Sequence, residues 1–274
     1  MELTIKRLKD IEDFEKVHEL DLKIWGADPV PTHQTMTAAK NGGFVIGAFD
    51  GDTCIGFQYS FAGFKDGEAY LCSHMMGIDP DYQNQGVGSR LKQRQAEIAR
   101  QMGYKKIRWT YDPLESRNGY LNLTKLGAIC SDYVENCYGE MKDGINAGMP
   151  SDRFHVEWYL NDPYLEERKN RFAHLEVTEN GLVLHWRQRA DGLPQAAEVR
   201  NKDYVDEPYL FVPIPVENHK LKETDPQLAL DWRYKTREVF VSLFSQGWAA
   251  CHVIRKKDEL CEYYVLCKRS ELGL

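Results

Sequence analysis

No run of apolar residues in this 274-residue chain approaches the roughly 20 needed to cross a membrane. The opening Met1-Glu2-Leu3-Thr4-Ile5-Lys6-Arg7 lacks the apolar core of a signal peptide. The seven cysteines (54, 72, 130, 137, 251, 261 and 267) include no Cys-x-x-Cys pair. Most sit inside strand-like apolar runs, so buried free thiols in a reducing cytoplasm fit better than disulfides or zinc. His33 and His155 are not spaced as metal ligands, and no metal is expected. No dense basic stripe appears. Lys and Arg number 35 against 42 Asp and Glu, and the net charge of −7 argues against a nucleic-acid partner. Arg255-Lys256-Lys257 runs straight into Asp258-Glu259 and reads as a solvated turn. Low-complexity segments are missing too. The expectation is a cytoplasmic globular protein with no membrane or nucleic-acid partner.

What the chain does have is concentrated at Asp79-Pro80-Asp81-Tyr82-Gln83-Asn84-Gln85-Gly86-Val87-Gly88-Ser89-Arg90-Leu91. A hydrophobic run from Leu71 to Ile78 ends there, a helix begins, and the joint reads Gln-x-x-Gly-x-Gly. Successive N–H groups at a helix start cradle a pyrophosphate, the helix dipole favours its charge, and glycine lets the backbone approach. A Rossmann fingerprint would need a third glycine at position 91, which is Leu. A P-loop would need Gly-Lys-Ser/Thr, whereas Gly88 is followed by Ser89-Arg90. Both rival phosphate motifs therefore fit poorly. An ordinary tight strand-to-helix turn is the plain alternative.

Around this loop the periodicities predict a short strand at Thr4–Leu8, a helix capped by Asp10, and a second helix from Thr32 to Lys40. Strands Phe44–Phe49 and Cys54–Phe61 flank the hairpin signal Asp50-Gly51. Strand Ala69–Ile78 follows, then a helix closing at Gly103 and strand Lys105–Tyr111. A helix from Glu115 to Leu126 stops at Gly127, and strands Ala128–Tyr138 and Arg153–Leu160 complete the first part. A polar, proline-containing break falls at Asn161-Asp162-Pro163. Beyond it, Leu175–Thr178 and Leu182–Trp186 flank Asn180-Gly181 as a hairpin. Tyr209–Ile214 reads as a strand, with Pro213 and Pro215 placing it at an edge. An apolar helix, Pro226–Ser245, stops at Gly247 before strands Ala249–Ile254 and Glu262–Cys267.

The order of these elements, with strand, Asp-Pro turn, glycine loop and amphipathic helix at its centre, resembles the GNAT superfamily of N-acetyltransferases. The likeness covers roughly residues 1–160, and its specificity lies in 71–91 and 105–127. It implies an α/β (α+β) fold: a mixed, mostly antiparallel sheet, flanked by helices and splayed between the strands ending at Ile78 and beginning at Lys105. Residues 1–160 would form the acyltransferase domain. Residues 161–274 would form an α+β extension packing on it, readable as a degenerate second GNAT-like half because helix, glycine and two strands recur.

The resemblance also assigns roles. Gln83, Asn84, Gln85, Gly86, Val87, Gly88 and Ser89 would hold the pyrophosphate, and Met76, Gly77 and Ile78 the pantetheine arm. Strict alternation puts Cys72, His74, Met76 and Ile78 on one face and Ser73, Met75 and Gly77 on the other. His74 is then the general base, or else a structural histidine. Asn118 matches the family's asparagine near the start of the next helix, and Asn122 would hold the CoA arm. The usual acidic tyrosine, four residues before Gly127, is Leu123 here; Tyr120 substitutes only if the helix is shifted. Asp112 is an alternative base or a turn opener. Ser73 and Arg153 face the acceptor, with Arg153 a carboxylate clamp or a structural cation. The Trp109-Thr110-Tyr111-Asp112-Pro113-Leu114 and Ser151-Asp152-Arg153-Phe154 stretches resemble a GNAT branch with a long C-terminal extension. That implies acetyl or succinyl transfer from acyl-CoA to a small-molecule amine, an amino acid or related metabolite. An acyl-CoA-sensing module is the alternative, a structural or assembly protein a third reading, and a homodimer a further option.

Overall fold

The computed structural model describes residues 3–26, 29–139, 149–200, 204 and 207–274. The chain forms two compact units, Met1–Trp109 with Tyr159–Asn161, and Thr110–Trp158 with Asp162–Leu274.

In the first unit β1 (Leu3–Arg7), α1 (Ile11–Trp25), α2 (Thr32–Lys40), β2 (Phe44–Asp50), β3 (Thr53–Lys65) and β4 (Glu68–Ile78) precede α3 (Val87–Gln101) and β5 (Lys106–Tyr111). The strands lie in the order β1-β2-β3-β4-β5. All the pairings are antiparallel except β4 with β5, which is parallel. Helix α1 sits on one face because Phe14, Val17 and Leu20 recur at helical spacing and bury against Val45, Phe49, Phe57 and Tyr59. Asp10 occupies its N-cap position but makes no side-chain cap bond. Helix α3 covers the other face through Val87, Leu91, Ile98 and Ala99. The β4–β5 ladder has two pairs, Leu71↔Ile107 and Cys72↔Arg108, and stops there.

The second unit contains α4 (Ser116–Gly119), β6 (Ile129–Val134), β7 (Arg153–Tyr159), α5 (Leu165–Ala173), β8 (Leu184–Gln188), β9 (Pro194–Val199), β10 (Leu210–Pro215), α6 (Asn218–Thr224), α7 (Pro226–Ser245), β11 (Trp248–Ile254) and β12 (Cys261–Lys268). Its main sheet runs β7-β6-β11-β12-β10, antiparallel at each step, with β10 at the edge as its prolines require. Mixed and mostly antiparallel, with helices on its faces, this is the expected fold class.

The compact units do not coincide with a division at residue 160. Strand β6 pairs with β11 at Cys130↔Ala250. Phe240 of α7 meets Phe154 edge-on at 4.7 Å and stacks on Tyr133 at 6.3 Å. Residues 110–158 thus share one core with the C-terminal residues. The helix Pro226–Ser245 forms as predicted, with Asp225 accepting from Leu228 N–H at 3.0 Å.

Two local expectations fail. Asn180-Gly181 does not turn a hairpin: β8 pairs with β9 around Asp191-Gly192, where Gly192 adopts φ +85°. Gly181 is instead where the chain passes close to its neighbour, since a Cβ there would lie 2.5 Å from Tyr209 O. The helix predicted over Glu115–Leu126 forms in two parts, α4 followed by a π-helical segment, Tyr120–Lys125.

Candidate functional site

The glycine loop has the shape its sequence requires. Asp79 closes the end of β4: its carboxylate accepts from Asp81 N–H at 3.2 Å and from Lys23 Nζ at 2.6 Å. Asn84 and Gly86 then take left-handed backbone, φ +61° and +79°. Gln85 ties the loop by donating to Asp81 O at 3.2 Å. The first helical bond of α3 runs from Arg90 N–H to Gly86 O at 3.2 Å, so the amides of Val87, Gly88 and Ser89 precede the ladder. Gln83 to Gly86 are exposed, and the first turn carries no acidic residue. A Cβ at Gly86 would meet nothing within 4 Å, leaving open space beside the loop. These features fit a diphosphate.

Gly88 serves a different purpose. A Cβ there would come within 3.0 Å of Ile78 Cδ1 and 3.6 Å of Met76 Cε, so its bareness seats α3 against the end of β4. Met76 and Ile78 therefore lie on the α3 face, while Gly77 backs onto Ile24 and Phe57.

Strict alternation along β4 does not hold. Tyr59 pairs with Met75 and Ser60 with Ser73, leaving His74 as the extra residue of a β-bulge. His74 turns to the α1–α2 side, its ring 5.7 Å from Tyr59 and 5.5 Å from Phe61. It therefore does not share a face with Met76 and Ile78. Tyr59 and Phe61 also border an open hollow of about 580 Å³ with His33, Gln34 and Thr37 of α2 and with Asn41 just beyond its end. His74 is exposed, yet those rings strip water from it and draw its pKa below 6.5 against the opposing pull of Asp21.

Ser73 lies on the α3 side of β4. It is buried under α3, where its Oγ accepts from Lys92 Nζ at 2.7 Å and Gln58 Nε2 at 3.0 Å. Sequence reasoning missed Lys92. The available signal was a stripe at helical spacing, Gly88, Lys92, Gln95, Ala99 and Met102, in which two successive polar residues are flanked by small and apolar ones.

In the second unit, Asp112 opens the turn after β5, accepting from Leu114 N–H at 2.8 Å. Its other oxygen pairs with Arg233 of α7 at 2.5 Å. Burial raises its pKa, but Arg233 and Lys222 outweigh that and hold it below 3.8. A carboxylate so held is a poor base. Arg153 is likewise engaged: it donates to Asp152 O at 2.8 Å and lies 5.2 Å from the Tyr138 ring. The Asp152 carboxylate is gripped by Arg237 through two 2.8 Å bonds, by Tyr133 at 2.6 Å and by Asn136 N–H at 2.9 Å. The Ser151-Asp152-Arg153 stretch is thus a structural knot among its described neighbours.

The π-helical segment alters the search for an acid. With i→i−5 bonding, as from Leu126 N–H to Leu121 O at 3.0 Å, each hydrogen bond spans five residues rather than four. The residue five before Gly127 is Asn122, which is buried, with Leu123 beside it. Tyr120 has its ring against Arg255, 3.8 Å from centre to guanidinium, and near Lys125 at 5.4 Å. Asn118 is exposed.

Two aspartates held by α7, Asp152 buried and Asp112 partly buried, give this unit a pH signature. Burial raises the Asp152 pKa, but Arg237, Asn136 and Tyr133 bring it below 3.8. Groups with depressed folded values add stability above pH 3.8 that is lost as pH falls through those values. Arg237→Leu should therefore move acid unfolding, followed by circular dichroism, to higher pH. An unmoved transition would mean the pair contributes nothing.

Among the described residues no group of three or more His, Cys, Asp or Glu is placed to hold a metal, and no helix is long and apolar enough to cross a membrane. All seven cysteines are free thiols.

Residues 8–127 match the family model described as the acetyltransferase (GNAT) family. Over this stretch the chain is similar to that family. No curated protein matches the chain. Among solved structures it is similar to a GNAT family acetyltransferase from Elizabethkingia anophelis with acetyl-CoA bound (20% identity, 57% of this chain and 97% of that one, TM-score 0.43). A GNAT family acetyltransferase from Streptococcus pneumoniae matches at 16% identity over 57% and 98% of the two chains, TM-score 0.46. An aminoglycoside acetyltransferase from an uncultured soil metagenomic sample, in complex with sisomicin, matches at 17% identity over 41% and 79%, TM-score 0.36.

Proposed function

We propose that this protein is an acyl-CoA-dependent N-acyltransferase that moves an acetyl or succinyl group onto the amine of a small molecule, an amino acid or related metabolite. The observation that carries the reading is the loop Asn84–Gly86, left-handed at both ends, opening α3 directly after β4. Acyl-CoA supplies an acyl group activated as a thioester. Val87, Gly88 and Ser89 offer amides to its diphosphate, and Met76 and Ile78 flank the arm along β4. His74, neutral at physiological pH because its pKa is lowered, takes a proton from the acceptor ammonium. The freed amine forms the new C–N bond, the C–S bond breaks, and the departing thiolate collects a proton from solvent. The hollow lined by His33, Gln34, Thr37, Asn41, Tyr59 and Phe61 suits a small polar acceptor.

A mass-spectrometric screen of amines against acetyl-CoA and succinyl-CoA, with released thiol titrated alongside, tests the reading. One observation favours a sensing module instead: Leu123 and Asn122 fill the turn where an acid would stand, and Tyr120 is committed to Arg255. Tight CoA binding without thiol release across the panel would select that alternative.

His74→Ala should lower kcat roughly 10²-fold with little change in CoA affinity. On the acid side, wild-type activity should fall only as pH drops below 6.5, because a lowered pKa keeps the His74 ring uncharged above that value. An unchanged rate and acid limb in the variant would move the base elsewhere.

A further inference from the structure

We propose that Lys92 is the positioning residue for the acyl end of the cleft, a cation wedged from α3 into the point where β4 and β5 part. The inference rests on the acyltransferase reading and adds a residue that neither the glycine loop nor the chemistry at His74 requires.

The β4–β5 ladder ends at Cys72↔Arg108, so Ser73 and Trp109 are the next residues on the two strands. Lys92 touches both. Its Nζ donates to Ser73 Oγ at 2.7 Å and lies 3.9 Å from the centre of the Trp109 ring. A further bond goes to Gln95 Oε1 at 3.3 Å. Two acceptors and a ring face occupy the three directions in which an ammonium donates. The side chain is almost wholly buried, and among the described residues no carboxylate pairs with it. Burying a lysine without a counter-ion is costly, whereas a methionine would fill the same length at little cost. A charge kept in such a place points to a use for it.

The surroundings show what that use is. From β3, Gln58 donates to Ser73 Oγ at 3.0 Å and Ser60 accepts from Gln95 Nε2 at 2.7 Å, so the network pins β4 to β3 as well as to α3. Ser73 immediately precedes the bulged His74, and fixing its hydroxyl fixes where the bulge begins. The titratable group facing Lys92 is the Cys72 thiol of β4, which burial pushes up to about 11; Gln95, Gln58, Ser60, Ser73 and Trp109 are uncharged. Burial in turn brings the Lys92 ammonium down to about 7. Loss of its proton removes one donor from the apex, and the strands there lose one of their ties. The wedge is therefore tightest below neutrality and slackens as pH rises through 7.

The experiment compares wild type, Lys92→Met and Lys92→Arg. Affinities for CoA and for acetyl-CoA are measured by calorimetry from pH 6 to 8.5, with kcat on the best amine and thermal melting alongside. In the wild type, the preference for acetyl-CoA over CoA should shrink as pH rises through about 7. Lys92→Met should melt normally, bind CoA as before, lose that preference, and drop kcat by about 10- to 100-fold, the cost of a misplaced reacting end. Lys92→Arg should restore part of kcat and abolish the pH step, because a guanidinium keeps its charge. A folded Lys92→Met with wild-type kcat and acetyl-CoA preference overturns the proposal, and so does a Lys92→Arg that keeps the pH step; the latter still decides if Lys92→Met fails to fold. Wild-type protein that binds neither CoA nor acetyl-CoA would instead sink the acyltransferase reading, and the Lys92 proposal with it.

Discussion

Gly86→Val is expected to weaken acetyl-CoA binding by about 100-fold while the protein stays folded. Gly86 holds φ +79°, a conformation that a β-branched residue adopts only under strain. The new Cβ meets no protein atom within 4 Å beyond its chain neighbours, so the strain lies in the backbone rather than in a clash at Cβ. The strain is relieved by rotating the loop, which turns the amides at the start of α3 away from their target. Losing two charge-assisted hydrogen bonds at roughly 1.5 kcal/mol each accounts for that factor. Gly86→Ala should fall between the two. Gly88→Val should also lose binding, by pushing α3 off Ile78. Calorimetry with a melting curve for each variant decides the matter, and wild-type affinity in a folded Gly86→Val would remove the central claim.

Cutting the chain after Leu160 should leave no soluble, monodisperse product. The fragment would keep Asp112 without Arg233 and Asp152 without Arg237, one partly buried and one buried carboxylate stripped of their cations. Breaking one such pair costs roughly 3–5 kcal/mol, against a total stability of about 5–15 kcal/mol for a domain. Phe154 and Tyr133 would also lose the cover of Phe240, and β6 its neighbour β11. An apolar face of that kind aggregates. Light scattering of the 1–160 fragment is the measurement. A monomeric fragment that still binds acetyl-CoA would show that the C-terminal residues are an appendage.

Much of the first unit was legible in the sequence because its signals are local. Asp50-Gly51 turns the β2–β3 hairpin, with Gly51 at φ +58°, and the glycine loop opens α3 where its spacing says. What could not be read depends on partners far away in the chain. The bulge at His74 arises from a mismatch with β3, and nothing in the β4 sequence announces which residue is extra. Asp112-Pro113 looks like any turn opener until Arg233, 121 residues later, is brought beside it. The π-helical segment is set by contacts around it, with Gly119 against the Tyr264 hydroxyl and Thr124 bonded to Val253, rather than by propensity. Asn180-Gly181 carried a sound local signal that lost to the approach of Tyr209, while Asp191-Gly192 took the turn. Lys92 went unread because a lysine near a helix start is ordinarily solvated.

The division of the chain carries a consequence for how such a molecule can be taken apart or assembled. The backbone passes from one compact unit to the other between residues 109 and 110, returns between 158 and 159, and leaves again between 161 and 162. No single nick in the backbone separates them, and neither can be lent to another protein as a terminal cassette. Because the chain crosses three times, the first time within β5 itself, a cut at any one crossing leaves residues of both units on the same fragment.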